Sequence, residues 1–268
     1  MNATTPHLPT LFISHGSPMF ALQPGEAGAQ LARLGSRLPR PRAILVVSPH
    51  WMTRSPEVLA GRQPDTVHDF GGFPRELYTL SYPAPGAPGV AAEVIALLAA
   101  TGIPAQANEI AGRDHGAWVP LMHLYPAADI PVIQLSQPAT RSPRMLLELG
   151  RALAPLREQG ILVIGSGSIT HNLYEFRAPH DPADRYASEF TDWIWQAIAA
   201  GDLDALLDYR ARAPHAERAH PTDEHLLPLY FAIGAAGGDW AQATRLPGDV
   251  TNGILAMDSF AFGDAATA

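Results

Sequence analysis

The chain has 268 residues, of which 47% are hydrophobic and only 16% charged, and its formal net charge is -8. Such a chain can bury a large core without disulfides, and with no cysteine it can form none. The same absence excludes thiolate nucleophiles and cysteine-ligated zinc or iron–sulfur centres, while an acidic chain without basic runs argues against nucleic-acid or anionic-membrane partners.

Taken in chain order, the pattern predicts one α/β domain over residues 1–268. Residues 1–9 lack the positive and apolar regions of a signal peptide, and no run reaches the ~20 apolar residues of a membrane span, so a soluble cytoplasmic protein is expected. Residues 10–14 (TLFIS), 43–48 (AILVVS), 131–136 (PVIQLS) and 161–165 (ILVIG) are short aliphatic runs. Runs of this kind suit strands covered by helices on both faces. Amphipathic helical spacing covers residues 27–38, 90–100, 142–159 and 183–200. Two shorter helices are expected at residues 118–124 and 226–236, the latter with Pro221 just before or at its start. Pro and Gly collect in long connections at residues 63–89, 177–182 and 213–221, and long loops in a compact domain are often functional. Residues 253–262 are expected to return as a strand at the sheet edge. The fold class is α/β, with a central mixed, mostly parallel sheet flanked by helices.

Eleven histidines are present, and several fall where chemistry is expected. The first strand runs into His15, the second into His50, and the fourth reaches His171 through Gly165 and Gly167. Ligands in open α/β sheets bind beyond the carboxyl ends of strands. Glycines there, Gly16 included, let the backbone turn sharply. His225 opens the helical run at residues 226–236. Neutral imidazole binds Zn²⁺ or Fe²⁺, often with a carboxylate to complete the set. His68 and His115 differ: each has Asp beside it and Gly and aromatics nearby, the setting of an acid/base group. His7, His123, His180 and His215 read as surface or helix-face residues. The GSGS run from Gly165 lacks the lysine and spaced glycines of a phosphate loop, and Ser17 and Ser48 are nucleophile candidates only by proximity to histidine.

Read together, these blocks resemble a known family. HGSP from His15, SPHW around His50, HDFGGFP from His68, YPAPG from Tyr82, DHGAW around His115, THNL around His171 and PTDEHLLPL around His225 are similar to the 4,5-DOPA dioxygenases. These belong to the class III, LigB-type extradiol ring-cleavage dioxygenases. The resemblance runs over residues 11–236. It implies His15 and His50 as metal ligands, with His225 or its neighbour Glu224 as another. It implies His171 as either a ligand or a catalytic base, and leaves His220 without a role. It further implies a catechol and O₂ as partners, in a monomer or small homo-oligomer.

The implied reaction inserts both atoms of O₂ into a catechol such as L-DOPA. Its 4,5-cleavage product, a seco-DOPA, cyclises to betalamic acid. Fe²⁺ is the expected functional metal, and Zn²⁺ could fill the same site without redox chemistry. Four protein ligands would leave iron too few open positions for a chelating catechol and O₂, so the expected set is His15, His50 and either Glu224 or His225. His115 or His171 would take a catechol proton, and His68 would hydrogen-bond substrate or O₂. Arg75 and Arg113 lie near in sequence to the relevant loops and are candidate anchors for a carboxylate. Two other readings stay open at this point. A zinc hydrolase would use the same ligands. A non-catalytic metal-binding protein of this fold would have lost its acid/base histidines, whereas His115 and His171 are both present.

Overall fold

The computed structural model describes residues 7–178 and 184–263; His180 therefore lies outside the described residues. The strands are β1 (Thr10–Ser14), β2 (Ala43–Thr53), β3 (Glu57–Leu59), β4 (Gln106–Asn108), β5 (Val132–Pro138), β6 (Ile161–Gly167), β7 (Ala243–Leu246), β8 (Val250–Thr251), β9 (Leu255–Ala256) and β10 (Ser259–Phe262). Eight of them form one sheet in the order β4-β3-β5-β2-β6-β1-β10-β7, and β8 pairs with β9 separately. The centre, β5-β2-β6-β1, is entirely parallel, and the antiparallel pairings lie toward the two edges.

The helices are α1 (Gly25–Arg37), α2 (Pro88–Ala100), α3 (His115–Leu124), α4 (Pro143–Leu153), α5 (Arg185–Ala199), α6 (Leu203–Leu207), α7 (Tyr209–Arg212), α8 (Ala216–Ala219) and α9 (Leu227–Ala236). No helix among the described residues is long and apolar enough to cross a membrane. The α9 sequence, LPLYFAIGAA, is buried at every position, because it is enclosed between α4 and the β6 and β1 face of the sheet. An all-round apolar helix has no stable alternative to burial.

The four expected strands are all present in the parallel centre. Elsewhere the structure corrects the sequence reading. Residues 253–262 do not form an edge: β10 lies between β1 and β7. The outer strand, ATRL, is short and carries Arg245, which pairs with Asp192 and Asp258, so it has no apolar signature. The second strand does not stop at Ser48 but continues through His50 to Thr53, after a register shift between Ser48 and Met52. Helix α3 starts at His115, three residues before the apolar run, because Asp114 caps it by accepting from the Ala117 backbone N–H at 3.2 Å. The proline near the start of α9 is Pro228, not Pro221. The long pattern at residues 142–159 is α4 followed by a 3₁₀ turn, Ala154–Gln159, in which Pro155 cannot continue α-helical bonding.

Gly16 takes a left-handed conformation at φ 60°, the sharp turn anticipated after β1. Gly165 and Gly167 act differently, because both lie within extended β6. A Cβ on Gly165 would sit 2.0 Å from the Pro228 carbonyl oxygen, and one on Gly167 would sit 2.1 Å from that of His225. Two bare positions thus let the start of α9 press onto β6. The contact is closed by the Ser168 N–H donating to the His225 carbonyl at 2.8 Å. Gly167→Ala should therefore overpack this junction and lower stability by about 1–3 kcal/mol in denaturant unfolding; an unchanged midpoint would show that the approach is not tight.

Candidate metal centre

The parallel centre delivers histidines to one end of the sheet. His15 follows β1, and its backbone N–H donates to the Gly167 carbonyl at 2.9 Å. Its Nδ1 lies 3.0 Å from Ser166 Oγ, and the Ser166 hydroxyl donates its single proton to the Gly116 carbonyl. Ser166 Oγ can therefore only accept from His15, which places the proton on Nδ1 and leaves Nε2 with a free lone pair. His50 Nε2 is 3.1 Å from His15 Nε2, and its Nδ1 faces Asp69 Oδ2 at 3.5 Å. His225 Nε2 is 3.4 Å from His50 Nε2, and its Nδ1 faces Glu224 Oε1 at 3.3 Å. Only for His15 does the hydrogen-bond pattern assign the outer nitrogen as N–H; beside the outer nitrogens of His50 and His225 stand carboxylate oxygens at 3.5 and 3.3 Å, which favour the same tautomer.

Metal–imidazole bonds of about 2.0–2.1 Å place two ligand nitrogens roughly 2.9–3.4 Å apart at ordinary coordination angles. The observed separations of 3.1 and 3.4 Å match that spacing. Burial pushes His15 and His225 well below the ordinary imidazole range and lowers His50 to about 3, with the neighbouring histidines adding to the effect. All three are thus neutral at pH 7, the form that binds metal.

His115 stands at the side of this cluster, close enough to group with His15 and His50. Asp69 grips it twice: Oδ1 accepts from the His115 backbone N–H and Oδ2 from Nδ1, both at 2.9 Å. Burial works to raise the Asp69 carboxyl, but hydrogen bonds and charge from His115 outweigh it and hold the group below the usual carboxylate range. Asp114 lies deeper, accepting from Ser48 Oγ at 2.8 Å and from Gln134 Nε2; burial, and then the charge of Asp69, raise its pKa. Ser48 is committed to that contact and to the His50 N–H, so it is no free nucleophile.

His171 stacks face to face on His225, with ring centroids 3.4 Å apart and planes 9° apart. It groups with Glu224 and His225 rather than with His15 and His50, and burial lowers its pKa to about 4. Glu224 reaches Arg141 Nη2 at 3.1 Å through its other oxygen, so its carboxylate bridges Arg141 and the outer side of the His225 ring.

A cavity of about 380 Å³ opens over the cluster. His50, His115, His171 and His225 form its floor; Ser17 and a set of apolar side chains, Phe70 and Phe176 among them, form its walls. His68 does not line it. Its Nε2 instead meets the Leu80 carbonyl at 3.1 Å, and its ring packs on Phe70, Tyr78 and Trp118, so it staples the loop that carries Asp69. Neither Arg75 nor Arg113 reaches the cavity. His220 is buried and bonds the Ile169 carbonyl at 2.7 Å, a support for the segment leading to His171. His123 and His215 serve local contacts, with the Phe20 carbonyl and Glu189.

Residue-by-residue reading missed Asp69 and Ser166. Asp69 was visible as an acidic neighbour of His68, but its partner is His115, far along the chain. Ser166 sits in the GSGS run, and its role emerges only from the pairing of β6 with β1.

The family of the catalytic LigB subunit of aromatic ring-opening dioxygenases matches residues 3–254, and the chain belongs to that family. The protein is accordingly an extradiol ring-opening dioxygenase that works with a metal on a small molecule and O₂. It is 40% identical over 257 residues to the 4,5-DOPA dioxygenase extradiol of Beta vulgaris, covering 94% of this chain and 96% of that one. Identity to the protein of the same name from Escherichia coli K12 is 39% over 264 residues, covering 96% and 95%. A solved structure of an uncharacterized Escherichia coli K12 protein superposes with a TM-score of 0.78 at 33% identity, covering 96% of this chain and all of that one. The resemblance and the fold class read from the sequence are both borne out.

Two outcomes follow for the metal and for acid. His15→Ala should lose bound metal in elemental analysis. Ser166→Ala should keep the fold and weaken metal affinity about 10–100-fold, since it removes the partner that orients His15 along with one hydrogen bond to the Gly116 carbonyl. Separately, His50, His171 and His220 have folded values near 3, 4 and 3, below the ordinary 6.5. The unfolded chain thus takes up protons that the folded one refuses. Metal-free protein should be most stable above about pH 6.5 and lose stability steadily as the pH falls from there toward about 4. Thermal midpoints that stay flat between pH 7.5 and 5 would contradict this.

Proposed function

We propose that the protein opens the ring of a catechol beside its diol, with Fe²⁺ held by the Nε2 atoms of His15, His50 and His225. The observation that carries this reading is the approach of His50 Nε2, at the floor of the cavity, to His15 Nε2 at 3.1 Å and to His225 Nε2 at 3.4 Å. Each ring has an oxygen beside its outer nitrogen: Ser166 for His15, Asp69 for His50 and Glu224 for His225. His225 is the third ligand in this reading, and Glu224 orients it. A three-nitrogen set leaves positions open for both catechol oxygens and O₂. When bound, Fe²⁺ supplies the electron path between a closed-shell catechol and triplet O₂; Zn²⁺ fits the same nitrogens but has no redox chemistry.

In the overall reaction the carbon–carbon bond next to the diol breaks. The hydroxylated carbon becomes a carboxylic acid, its neighbour an aldehyde, and both oxygen atoms of O₂ are retained without an outside reductant. The protein's own contribution is to bind, orient and move protons. With Nδ1–H given to Asp69, His115 has Nε2 free to accept a proton from the catechol hydroxyl. Asp69 steadies the imidazolium that results, as a carboxylate does behind any histidine base. His171 faces the cavity from its stack on His225 and is placed to hydrogen-bond substrate. The relatives are named for DOPA, and L-DOPA is the reference substrate of this reading. Cleavage at the 4,5 bond would give a seco-DOPA whose amine condenses with the new aldehyde, losing water, to form betalamic acid.

The test is O₂ uptake by metal-free protein reloaded with Fe²⁺ or Zn²⁺ and given a panel of catechols, L-DOPA included. Uptake is expected with Fe²⁺ only, and none with either metal would overturn the reading. His115→Ala should retain metal and lose about 10²–10⁴-fold in kcat. His68→Ala should alter kcat far less; equal losses would mean that His115 does no more than a loop staple.

A further inference from the structure

A second cavity adjoins the one over the histidines. It holds about 480 Å³, against about 380 Å³ for the first, and Ser17 lines both. The boundary between them is the turn that follows His15. Gly16 lines the first cavity and Met257 the second. A Cβ on Gly16 would sit 2.6 Å from Met257 Sδ, so the bare glycine lets the thioether close on this turn. The second cavity thus starts at Ser17, close along the chain to the candidate ligand His15.

Its lining differs in character from that of the first. Phe20 and Met257 are apolar, but Gln23, Asp249, Thr251 and Asn252 bring polar groups. Asn252 donates its amide N–H to the Arg177 carbonyl at 3.0 Å and keeps Oδ1 as an acceptor. Asp249 is exposed and offers a carboxylate, which when ionised can only accept. Acceptors set together in this way suit a ligand group that donates, above all an ammonium. Apart from Ser17, these residues stand outside the sequence blocks that carry the family resemblance.

We infer that the two cavities form one substrate groove. The catechol sits on the histidine floor, and its ring substituent passes Ser17 into the second cavity and ends in an amine beside Asp249. This rests on the ring-cleavage reading and names the substrate class within it: catechols with a long, amine-ended substituent.

The experiment uses the full chain loaded with Fe²⁺ and three amides of 3-(3,4-dihydroxyphenyl)propanoic acid: those with methylamine, with hexylamine and with one end of 1,5-diaminopentane, the last two equal in length. The amine-ended amide should have a kcat/KM about 10-fold above the methylamide. The gain should be carried mainly by KM, because contacts remote from the ring hold substrate and transition state alike. Asp249→Asn should lower the ratio of the amine-ended amide to the hexylamide by up to about 5-fold, the scale of an exposed ion pair. Thr251→Trp, which fills part of the second cavity, should bring both long amides down to the level of the methylamide. Should that variant fail to fold, Asp249→Asn, an isosteric change at an exposed position, carries the test. Calorimetry on Zn²⁺-loaded protein reads the same order of affinities without turnover. Long amides no better than the methylamide, or an advantage that survives both substitutions, would overturn the inference and leave the ring-cleavage reading standing. If no catechol consumed O₂, the ring-cleavage reading would fall, and calorimetry would still decide whether the groove takes the long amine.

Discussion

The Nε2 atoms of His15, His50 and His225 stand 3.1 and 3.4 Å from one to the next, and in the tautomer that leaves all three without a proton their lone pairs repel unless a cation lies among them. Most of the site can be understood as the means of enforcing that arrangement. Behind each ring stands an oxygen facing its other nitrogen. For His15 the acceptor is a serine hydroxyl whose own proton is already given away, which leaves a single tautomer. Burial then keeps the rings neutral.

The scaffold brings these parts into register without a long-range device. Parallel pairing of β1 with β6 sets Ser14 beside Gly167 and Ile13 beside Ser166, so the serine that orients His15 comes from the adjacent strand. The glycines of β6 admit the start of α9 to near contact, which brings His225 to the same strand ends. The bulge in β2 re-aims His50 within the strand. The β6 glycines and the β2 bulge are two local irregularities in an otherwise regular parallel sheet, and each positions one of the candidate ligands.

Polar and apolar groups are unevenly placed around the cavity. His115 in its floor is joined by two hydrogen bonds to Asp69, which stands behind it. The walls are mainly apolar, with Ser17 as a polar member. Arg113, buried and bonded to both ends of the Asp69 loop, keeps that loop in place.

The sequence alone determined the parallel centre, because doubly covered strands read as aliphatic runs, and it determined His15 and His50 as ligand candidates, because both fall near strand ends. It also determined the family, since the histidine blocks recur in order along the chain. The strands toward the edges escaped it: β3, β4 and β7 are short and partly polar, and no hydrophobic period marks them. Only the tertiary structure decided among chemically equivalent histidines. His68 and His115 have the same local signature, yet one bonds a loop carbonyl and the other meets Asp69 across 46 positions of sequence. Glu224 and His225 are neighbours, yet only the ring places a nitrogen against His50. Roles of this kind depend on which side chains face one another across elements distant in the chain, and such distances are properties of packing that no local run of residues encodes.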